Sequence, residues 1–167
     1  MPVLEVFYDY LCPFCFKGHE LLKKLAPDYP EIEIVWRACE AEPVRTPGSS
    51  YGSLLLRGFY FARAHGACLW EYNALAYEIT HRSRVDIGDL NSVAEALSGL
   101  LDAEAFRREI GGGAYFRELG EANSLAYDKY GVWTIPAYRM DGRRLDSRLG
   151  LGVSEKQLAG FLSSAEK

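Results

Sequence analysis

The apolar residues of this chain follow a strand-like spacing near both ends and a helix-like spacing in the middle. Residues 3–8 form an apolar run interrupted only by Glu5, and residues 31–37 alternate before reaching β-branched positions. Both patterns are typical of strands. Between them, residues 16–25 predict an amphipathic helix that ends before Pro27, because the residue before a proline avoids the helical region.

A long helical block follows these elements. Residues 38–50 contain Pro43, Pro47 and Gly48, and this composition predicts a loop. Residues 51–131 then carry apolar positions three and four apart, which is the spacing of one helix face.

The ends of two helices within the block are marked by capping residues. Asp89 is placed to cap a helix whose apolar positions run to Leu101, and Asp102 to cap a short helix that ends at Glu109. A run of three glycines, residues 111–113, then separates this short helix from a further predicted helix over about residues 115–130.

The last part of the chain predicts a hairpin and a closing helix. Residues 135–140 and 143–147 flank Asp141 and Gly142, a pair that favours a tight turn. A capping-box pattern begins at Ser154, ahead of an apolar helix face. The predicted order is therefore β-α-β, a helical block, and β-β-α.

Composition excludes several classes of protein. The 167 residues are 49% hydrophobic and 25% charged, as in an ordinary globular protein. The net charge of -4 argues against general nucleic-acid binding, and no apolar run is long enough to span a bilayer. Since Met1 and Pro2 lead directly into the first predicted strand without a signal-peptide pattern, we expect a cytosolic protein.

Cys12 and Cys15 form a Cys-Pro-Phe-Cys motif between the first predicted strand and helix. A Cys-x-x-Cys pair at a strand-to-helix turn is the layout of a thiol–disulfide redox site. The helix N-terminus favours a thiolate at Cys12, and the thiolate is the species that attacks in disulfide exchange. We therefore predict Cys12 as the nucleophile and Cys15 as the resolving thiol.

A structural zinc site and a pair of inert core cysteines are the alternatives for this motif. Zinc usually takes four ligands, often as two close pairs. The other cysteines, Cys39 and Cys68, are isolated from each other. We therefore predict no metal, and we expect Cys39 and Cys68 to be buried as small hydrophobic residues.

Three stretches resemble the DsbA-like family of thioredoxin-fold proteins, nearest to its cytosolic FrnE-type branch. They are residues 7–18 with the cysteine pair, residues 34–37 of the second predicted strand, and residues 130–138, where this family places a cis-proline. The resemblance implies an α/β, thioredoxin-like fold (β-α-β … β-β-α) with a helical insertion between the second and third strands.

The same resemblance divides the chain and adds two site residues. Residues 1–50 and 132–167 would form the thioredoxin-like domain, and residues 51–131 the inserted helical subdomain. Pro136 would be cis and pack beside the cysteine pair, while Ile135 would offer its backbone N–H and C=O to an extended substrate. Without the resemblance, Pro136 would be expected to start an edge strand.

Pro13 and Phe14 lie between the two cysteines and are also expected to contact the substrate. Pro13 is tolerated in the first helical turn, where its missing N–H is not needed. The periplasmic oxidases of the family carry histidine at the position of Phe14, which can neither donate to the Cys12 sulfur nor add charge. We therefore expect a less depressed Cys12 pKa and a less oxidising couple.

Glu5 and His19 are the candidates for tuning the pair. Glu5 is either a buried carboxylate of raised pKa that relays protons or, as we favour, a member of a salt bridge. His19 lies one helical turn after the pair, and it either tunes the thiols or, as we favour, is a hydrogen-bonded core histidine. We expect Asp9 to orient the turn, and His65 and His81 to lie at the surface.

The predicted function is thiol–disulfide exchange on a protein or small-molecule substrate that carries a thiol or disulfide. No bound cofactor is predicted, although glutathione would serve as a co-substrate. A glutathione-dependent isomerase or transferase, of the kappa or 2-hydroxychromene-2-carboxylate type, is one alternative, but such proteins usually carry serine where Cys12 stands. A non-catalytic peptide-binding module is the other. Most aromatic residues of the insertion are expected in the core, with a few lining a groove over Cys12.

Overall fold

A four-stranded mixed sheet organises the chain, which the computed structural model describes over residues 1–41 and 46–166. The strands lie in the order β2-β1-β3-β4. Their bounds are β1 (Val3–Tyr8), β2 (Glu33–Ala38), β3 (Ala137–Met140) and β4 (Arg143–Asp146). β1 is parallel to β2 and antiparallel to β3, and β3 is antiparallel to β4.

Seven α-helices accompany the sheet in the described residues. Their bounds are α1 (Pro13–Leu25), α2 (Ser53–Ala64), α3 (Leu69–Arg82), α4 (Leu90–Ala96), α5 (Ala103–Gly111), α6 (Phe116–Ser124) and α7 (Glu155–Ser163). One π-helical turn, Leu125–Lys129, extends α6. The predicted β-α-β, helical block, β-β-α order is therefore confirmed. None of the described helices has both the length and the apolar character needed to cross a membrane.

The predicted helix caps are present, although one helix is shorter than expected. A carboxylate oxygen of Asp89 accepts from the amide of Ser92, and Asp102 caps the amides at the start of α5. α4 ends at Ala96 instead of reaching Leu101. The Ser98 hydroxyl donates to the backbone carbonyl of Glu95, and Ser98 is followed by Gly99. Both features disfavour continuing the helix.

The boundaries of the C-terminal hairpin differ only slightly from the prediction. Asp141 and Gly142 both have positive φ, at 51° and 75°, as a tight two-residue turn requires. β3 begins at Ala137, two residues later than predicted, because Pro136 has no N–H to donate to the sheet. Its carbonyl instead accepts from the hydroxyl and amide of Ser147.

The predicted loop after β2 is confirmed in the residues that the structure describes there, and Pro43 lies outside them. The capping box at Ser154 is also confirmed, since its hydroxyl and the Gln157 side chain each accept from the other residue's amide. These local features follow directly from short-range sequence patterns.

One continuous hydrophobic core joins the sheet to the helices. Tyr8 of β1 is the clearest example, because its ring packs edge-to-face against Trp36 of β2 and Phe59 of α2, at centroid distances of 5.7 and 6.1 Å. Most aromatic residues of the helical block lie in this core, as expected, while Phe116 is partly exposed. The division into a thioredoxin-like domain and an inserted subdomain stays a prediction.

Helix α1 packs closely on β3 because Gly18 has no side chain. A Cβ placed on Gly18 would lie 2.8 Å from the Tyr138 hydroxyl oxygen and 3.2 Å from Pro136 Cγ. Both neighbours are held in place, since Tyr138 is buried within β3 and the Pro136 carbonyl accepts a hydrogen bond from the Ser147 hydroxyl. This contact brings the helix that carries Cys12 and Cys15 against the segment that carries Pro136.

We expect Gly18→Ala and Gly160→Ala to change stability in opposite directions. Each replacement gains helix propensity of about 1 kcal/mol. Gly160 lies within α7 and a Cβ there meets no atom within 4 Å, so this variant should gain that amount. Gly18→Ala should lose about 1–2 kcal/mol, because overpacking outweighs propensity. Urea denaturation measures both, and equal stabilisation of the two variants would contradict the close-packing argument.

Candidate redox site

The two cysteines of the motif occupy the first turn of α1. Cys12 is the N-cap residue, and its sulfur accepts a hydrogen bond from the backbone amide of Cys15 at 3.3 Å. Pro13 follows at the first helical position, where its lack of an N–H costs nothing. Cys12 is partly exposed, whereas Cys15 is only 1% exposed.

The electrostatic environments of the two sulfurs are opposite. The hydrogen bond from the Cys15 side chain, together with the backbone amides of Cys15 and Phe14, lowers the pKa of Cys12 to about 7 despite its partial burial. Burial raises the pKa of Cys15 well above its ordinary value. At neutral pH, the accessible sulfur is therefore substantially a thiolate while the buried sulfur keeps its proton.

The segment before β3 lies directly beside Cys12. The Ile135–Pro136 peptide bond is cis, as the resemblance implied. The Cys12 thiol lies 3.8 Å from the Ile135 carbonyl oxygen, to which it donates. In the described residues, the Ile135 amide makes no hydrogen bond. The structure thus brings Cys12, Cys15, Ile135 and Pro136 together, and the substrate-binding roles of Ile135 and Pro136 stay predictions.

Asp9 fixes the turn between β1 and α1. Its two carboxylate oxygens accept separate hydrogen bonds, one from the Leu11 amide at 3.1 Å and one from the Ala41 amide at 2.8 Å. Its backbone carbonyl also accepts from the Cys12 amide. Asp9 therefore orients the turn, as expected, and its burial raises its carboxyl pKa to about 6.

Glu5 lies in an ion pair rather than free beside the cysteines. Two nitrogens of the Arg37 guanidinium donate to one Glu5 oxygen at 2.8 and 3.0 Å, across the β1–β2 pair. This is the geometry of the salt bridge that we favoured from sequence.

His19 is a core residue, but the expectation that it is hydrogen-bonded is wrong. It is 6% exposed, and neither ring nitrogen has a hydrogen-bond partner among the described residues. The rings of Trp36, Trp70 and Tyr77 surround it at centroid distances of 5.4–5.8 Å. Burial lowers its pKa to about 4, so the ring is neutral at physiological pH.

Two expectations about residues outside the motif need correction. Cys39 is fully buried as expected, but Cys68 is exposed, because it occupies the N-cap position of α3 at the surface. His65 is exposed as expected, whereas His81 is half-buried. A ring nitrogen of His81 lies 2.6 Å from the Tyr10 carbonyl oxygen, since α3 packs across α1.

Sequence analysis missed an exposed apolar rim beside the motif. A tight turn at residues 148–152 places Gly152 against Phe14, where an added Cβ would lie 3.1 Å from the ring. The neighbouring side chains of Leu149 and Leu151 are 83% and 69% exposed. Trp133, which precedes Ile135 by two residues, is 80% exposed. The segment Leu149-Gly150-Leu151-Gly152 after the hairpin was the available signal, because its two glycines predict a turn, and turns lie at the surface.

The fold and the cysteine pair together define a thioredoxin-fold protein with a helical insertion between its second and third strands. The chain belongs to the DSBA-like thioredoxin domain family, whose model matches residues 3–162. This membership confirms the family that the three sequence stretches suggested, and it does not distinguish between branches of the family.

Several known proteins resemble the chain over almost its whole length. The uncharacterized protein YwbO of Bacillus subtilis is 21% identical in an alignment 192 positions long, which covers 93% of this chain and 95% of that protein. The crystal structure of a probable DsbA oxidoreductase from Streptomyces coelicolor superposes with a TM-score of 0.77 at 18% identity, covering 99% of this chain and 90% of that one. A 2-hydroxychromene-2-carboxylate isomerase superposes with a TM-score of 0.70 at 18% identity, covering 98% and 94%.

We expect the reactivity of Cys12 to follow a titration with a midpoint near pH 7. Alkylation by iodoacetamide should rise about tenfold per pH unit below the midpoint and level off above it, because only the thiolate reacts. Cys15→Ala should move the midpoint upward, since it removes the largest contribution to the lowered pKa. Mass spectrometry of the modified Cys12 peptide measures both, and an unchanged midpoint in Cys15→Ala would contradict the assigned cause.

Proposed function

We propose that the protein is a dithiol–disulfide oxidoreductase in which Cys12 and Cys15 exchange with a substrate disulfide. The difference between the two sulfurs carries this proposal. An accessible thiolate and a protonated thiol one helical turn deeper are what the two successive steps of disulfide exchange require. An inert core pair would have no reason to lower the pKa of one member.

The exchange proceeds through a mixed disulfide. The Cys12 thiolate attacks one sulfur of the substrate disulfide, forming a Cys12–substrate bond and releasing the other substrate sulfur as a thiolate that takes a proton. Cys15 then loses its proton and attacks Cys12, so the second substrate sulfur leaves. The protein dithiol is oxidised to a disulfide and the substrate is reduced to a dithiol, and the reverse sequence oxidises the substrate.

An extended protein segment with apolar side chains is the substrate that the surroundings favour. The Ile135 amide and carbonyl offer a strand-like pair of hydrogen bonds beside Cys12. The exposed Trp133, Leu149 and Leu151 add apolar surface on which neighbouring side chains can be buried. A small thiol such as glutathione would serve as the co-substrate that restores the resting state of the pair.

The moderate pKa of Cys12 supports a couple that is less oxidising than that of the periplasmic oxidases. A thiol pKa near 7 is characteristic of thioredoxin-type pairs, whereas the strongly oxidising DsbA pair has a pKa of about 3.5. Phe14 supports the same conclusion, since it adds neither a donor nor a charge. A FrnE-type relationship and a cytosolic location belong to this proposal.

We expect Cys15→Ser to trap mixed disulfides that Cys12→Ser does not trap. Without Cys15 no thiol is available to release the substrate, while without Cys12 the first bond does not form. Incubation with oxidised glutathione or a disulfide-containing peptide, followed by non-reducing mass spectrometry, measures the adducts. Cys68→Ser is the matched control, because Cys68 is exposed but lies outside the motif, and it should leave insulin reduction unchanged.

Full dithiol exchange in both Cys12→Ser and Cys15→Ser would contradict the proposal. Tight glutathione binding by Cys15→Ser without any mixed disulfide would favour a glutathione-dependent isomerase. Peptide binding that persists after both cysteines are replaced, without exchange activity in the wild type, would favour a peptide-binding module.

We expect the double replacement Leu149→Ser and Leu151→Ser to separate protein substrates from small ones. The variant loses exposed apolar surface, so its KM for insulin should rise about five- to thirtyfold, which corresponds to about 1–2 kcal/mol for two side chains that the substrate partly buries. Its reaction with a small aromatic disulfide should stay within twofold of the wild type, which controls for damage to Cys12. Equal losses on both substrates would contradict a role in protein recognition.

A further inference from the structure

His19 is a buried polar side chain that the exchange described so far does not use. Buried polar atoms are almost always hydrogen-bonded, because an unpaired one keeps its desolvation cost without compensation. Both nitrogens of His19 are unpaired among the described residues. A residue of similar size without nitrogens would fill the same aromatic pocket at lower cost, so the imidazole calls for a chemical explanation.

His19 and Cys15 line the same small internal cavity. They lie four residues apart on α1, a spacing that puts two side chains on one face of a helix. The cavity measures about 10 Å³, and Leu22, Tyr77 and Pro136 are among its other lining residues. A space of this size admits at most one water molecule, which is the group that a proton relay between the sulfur and a ring nitrogen would require.

We propose that His19 accepts the proton of Cys15 when Cys15 attacks the mixed disulfide. This inference rests on the proposed function, because it assigns a base to the second step of the exchange. A buried thiol with a raised pKa cannot attack until its proton has been removed, and Cys15 has no direct access to solvent.

The step balances without any additional reactant. The Cys15 proton passes to an unprotonated nitrogen of His19 through one water molecule in the cavity. The Cys15 sulfur then bonds to the Cys12 sulfur as the Cys12–substrate bond breaks, and the electron pair leaves on the substrate sulfur. The imidazolium afterwards gives its proton to that departing thiolate through solvent, which restores neutral His19.

The protein environment makes the ring a neutral base at rest. Burial is the main cause of its lowered pKa, and Lys23 on the same helix adds to it. The other ionisable groups that line the cavity are uncharged at neutral pH: Tyr8 from β1, Tyr77 from α3, Tyr138 from β3, and Cys15 itself. A thiolate formed at Cys15 therefore supplies the negative charge that the resting site lacks, and it stabilises the imidazolium that forms beside it.

Asp9 is the competing base, because its charge also acts on the Cys15 sulfur and raises the pKa of that thiol. Its carboxyl pKa of about 6 would permit proton transfer. However, both of its oxygens already accept hydrogen bonds, from the amides of Leu11 and Ala41. Asp9 is also not among the residues that line the cavity shared by Cys15 and His19.

The test separates the two steps by stopped-flow kinetics. The reduced protein, in a Cys68→Ser background that removes the other exposed thiol, is mixed with dithiobis(nitrobenzoate). Attack by Cys12 releases the first coloured thiolate, and attack by Cys15 on the mixed disulfide releases the second. His19→Leu replaces the base with an apolar side chain, and His19→Gln replaces it with a polar side chain that is not a base. Circular dichroism verifies that each variant folds. Leu22→Met is the control, because it changes another wall of the same cavity without removing a base.

We expect both His19 variants to slow the second phase at least tenfold, since a general base accelerates a reaction by about 10²–10⁴-fold. The rate of the first phase should stay within twofold of the wild type. Leu22→Met should leave both phases within twofold. Between pH 6 and 8, the second phase should be nearly constant in the wild type and rise about tenfold per pH unit in His19→Leu, which then depends on the small fraction of Cys15 thiolate.

Three results would overturn the inference. The first is a second-phase rate that is unchanged in both His19 variants. The second is an equal slowing of that phase by Leu22→Met, which would indicate an effect of packing alone. Alternatively, a pH dependence centred near 6 would persist in His19→Leu, which would assign the base to Asp9. Absence of the first phase in the wild type is a different result, because it would contradict the proposed function itself.

Discussion

The site depends on one buried carboxylate at the end of β1. Asp9 accepts amide hydrogen bonds from Leu11, in the turn before Cys12, and from Ala41, three residues after β2, so two parts of the chain about 30 residues apart meet at one side chain. This arrangement has a thermodynamic cost. Burial raises the carboxyl pKa to about 6, so the contribution of this group to stability is largest below pH 4, and about 3 kcal/mol of that contribution is lost as the pH rises through 6 and the group ionises. The protein retains a costly group because the turn that it fixes places Cys12 at the helix N-terminus.

The chemistry follows from unequal solvation of two identical side chains. Cys12 and Cys15 differ by less than one helical turn in sequence, yet one meets solvent and backbone amides while the other meets only the core. The same interaction between them, a hydrogen bond from the Cys15 thiol, stabilises charge on Cys12 and retains the proton on Cys15. In the proposed exchange, this difference in burial sets the order of the two steps.

Short-range features were predictable from sequence, and features that depend on the packing of distant elements were not. The cysteine motif, the Asp89 and Asp102 caps and the Asp141–Gly142 turn are encoded within a few residues. The position of His81 depends on how α3 crosses α1, and it joins residues that are 71 positions apart. The unpaired nitrogens of His19 are likewise a property of the rings around it, which come from β2 and α3. The cis bond at Pro136 was expected only through the family resemblance, since the local pattern favoured an ordinary strand start.

The continuous core has a consequence for how this fold can vary. Tyr8 of β1 packs against rings from both β2 and α2, so helix α2 and the sheet share one hydrophobic core. Because these contacts are made by residues within the helices and strands, a change in the length of the connections between helices would leave them in place. Removal of α2 would instead remove the Phe59 ring that packs on Tyr8, a side chain that is only 2% exposed in the intact protein.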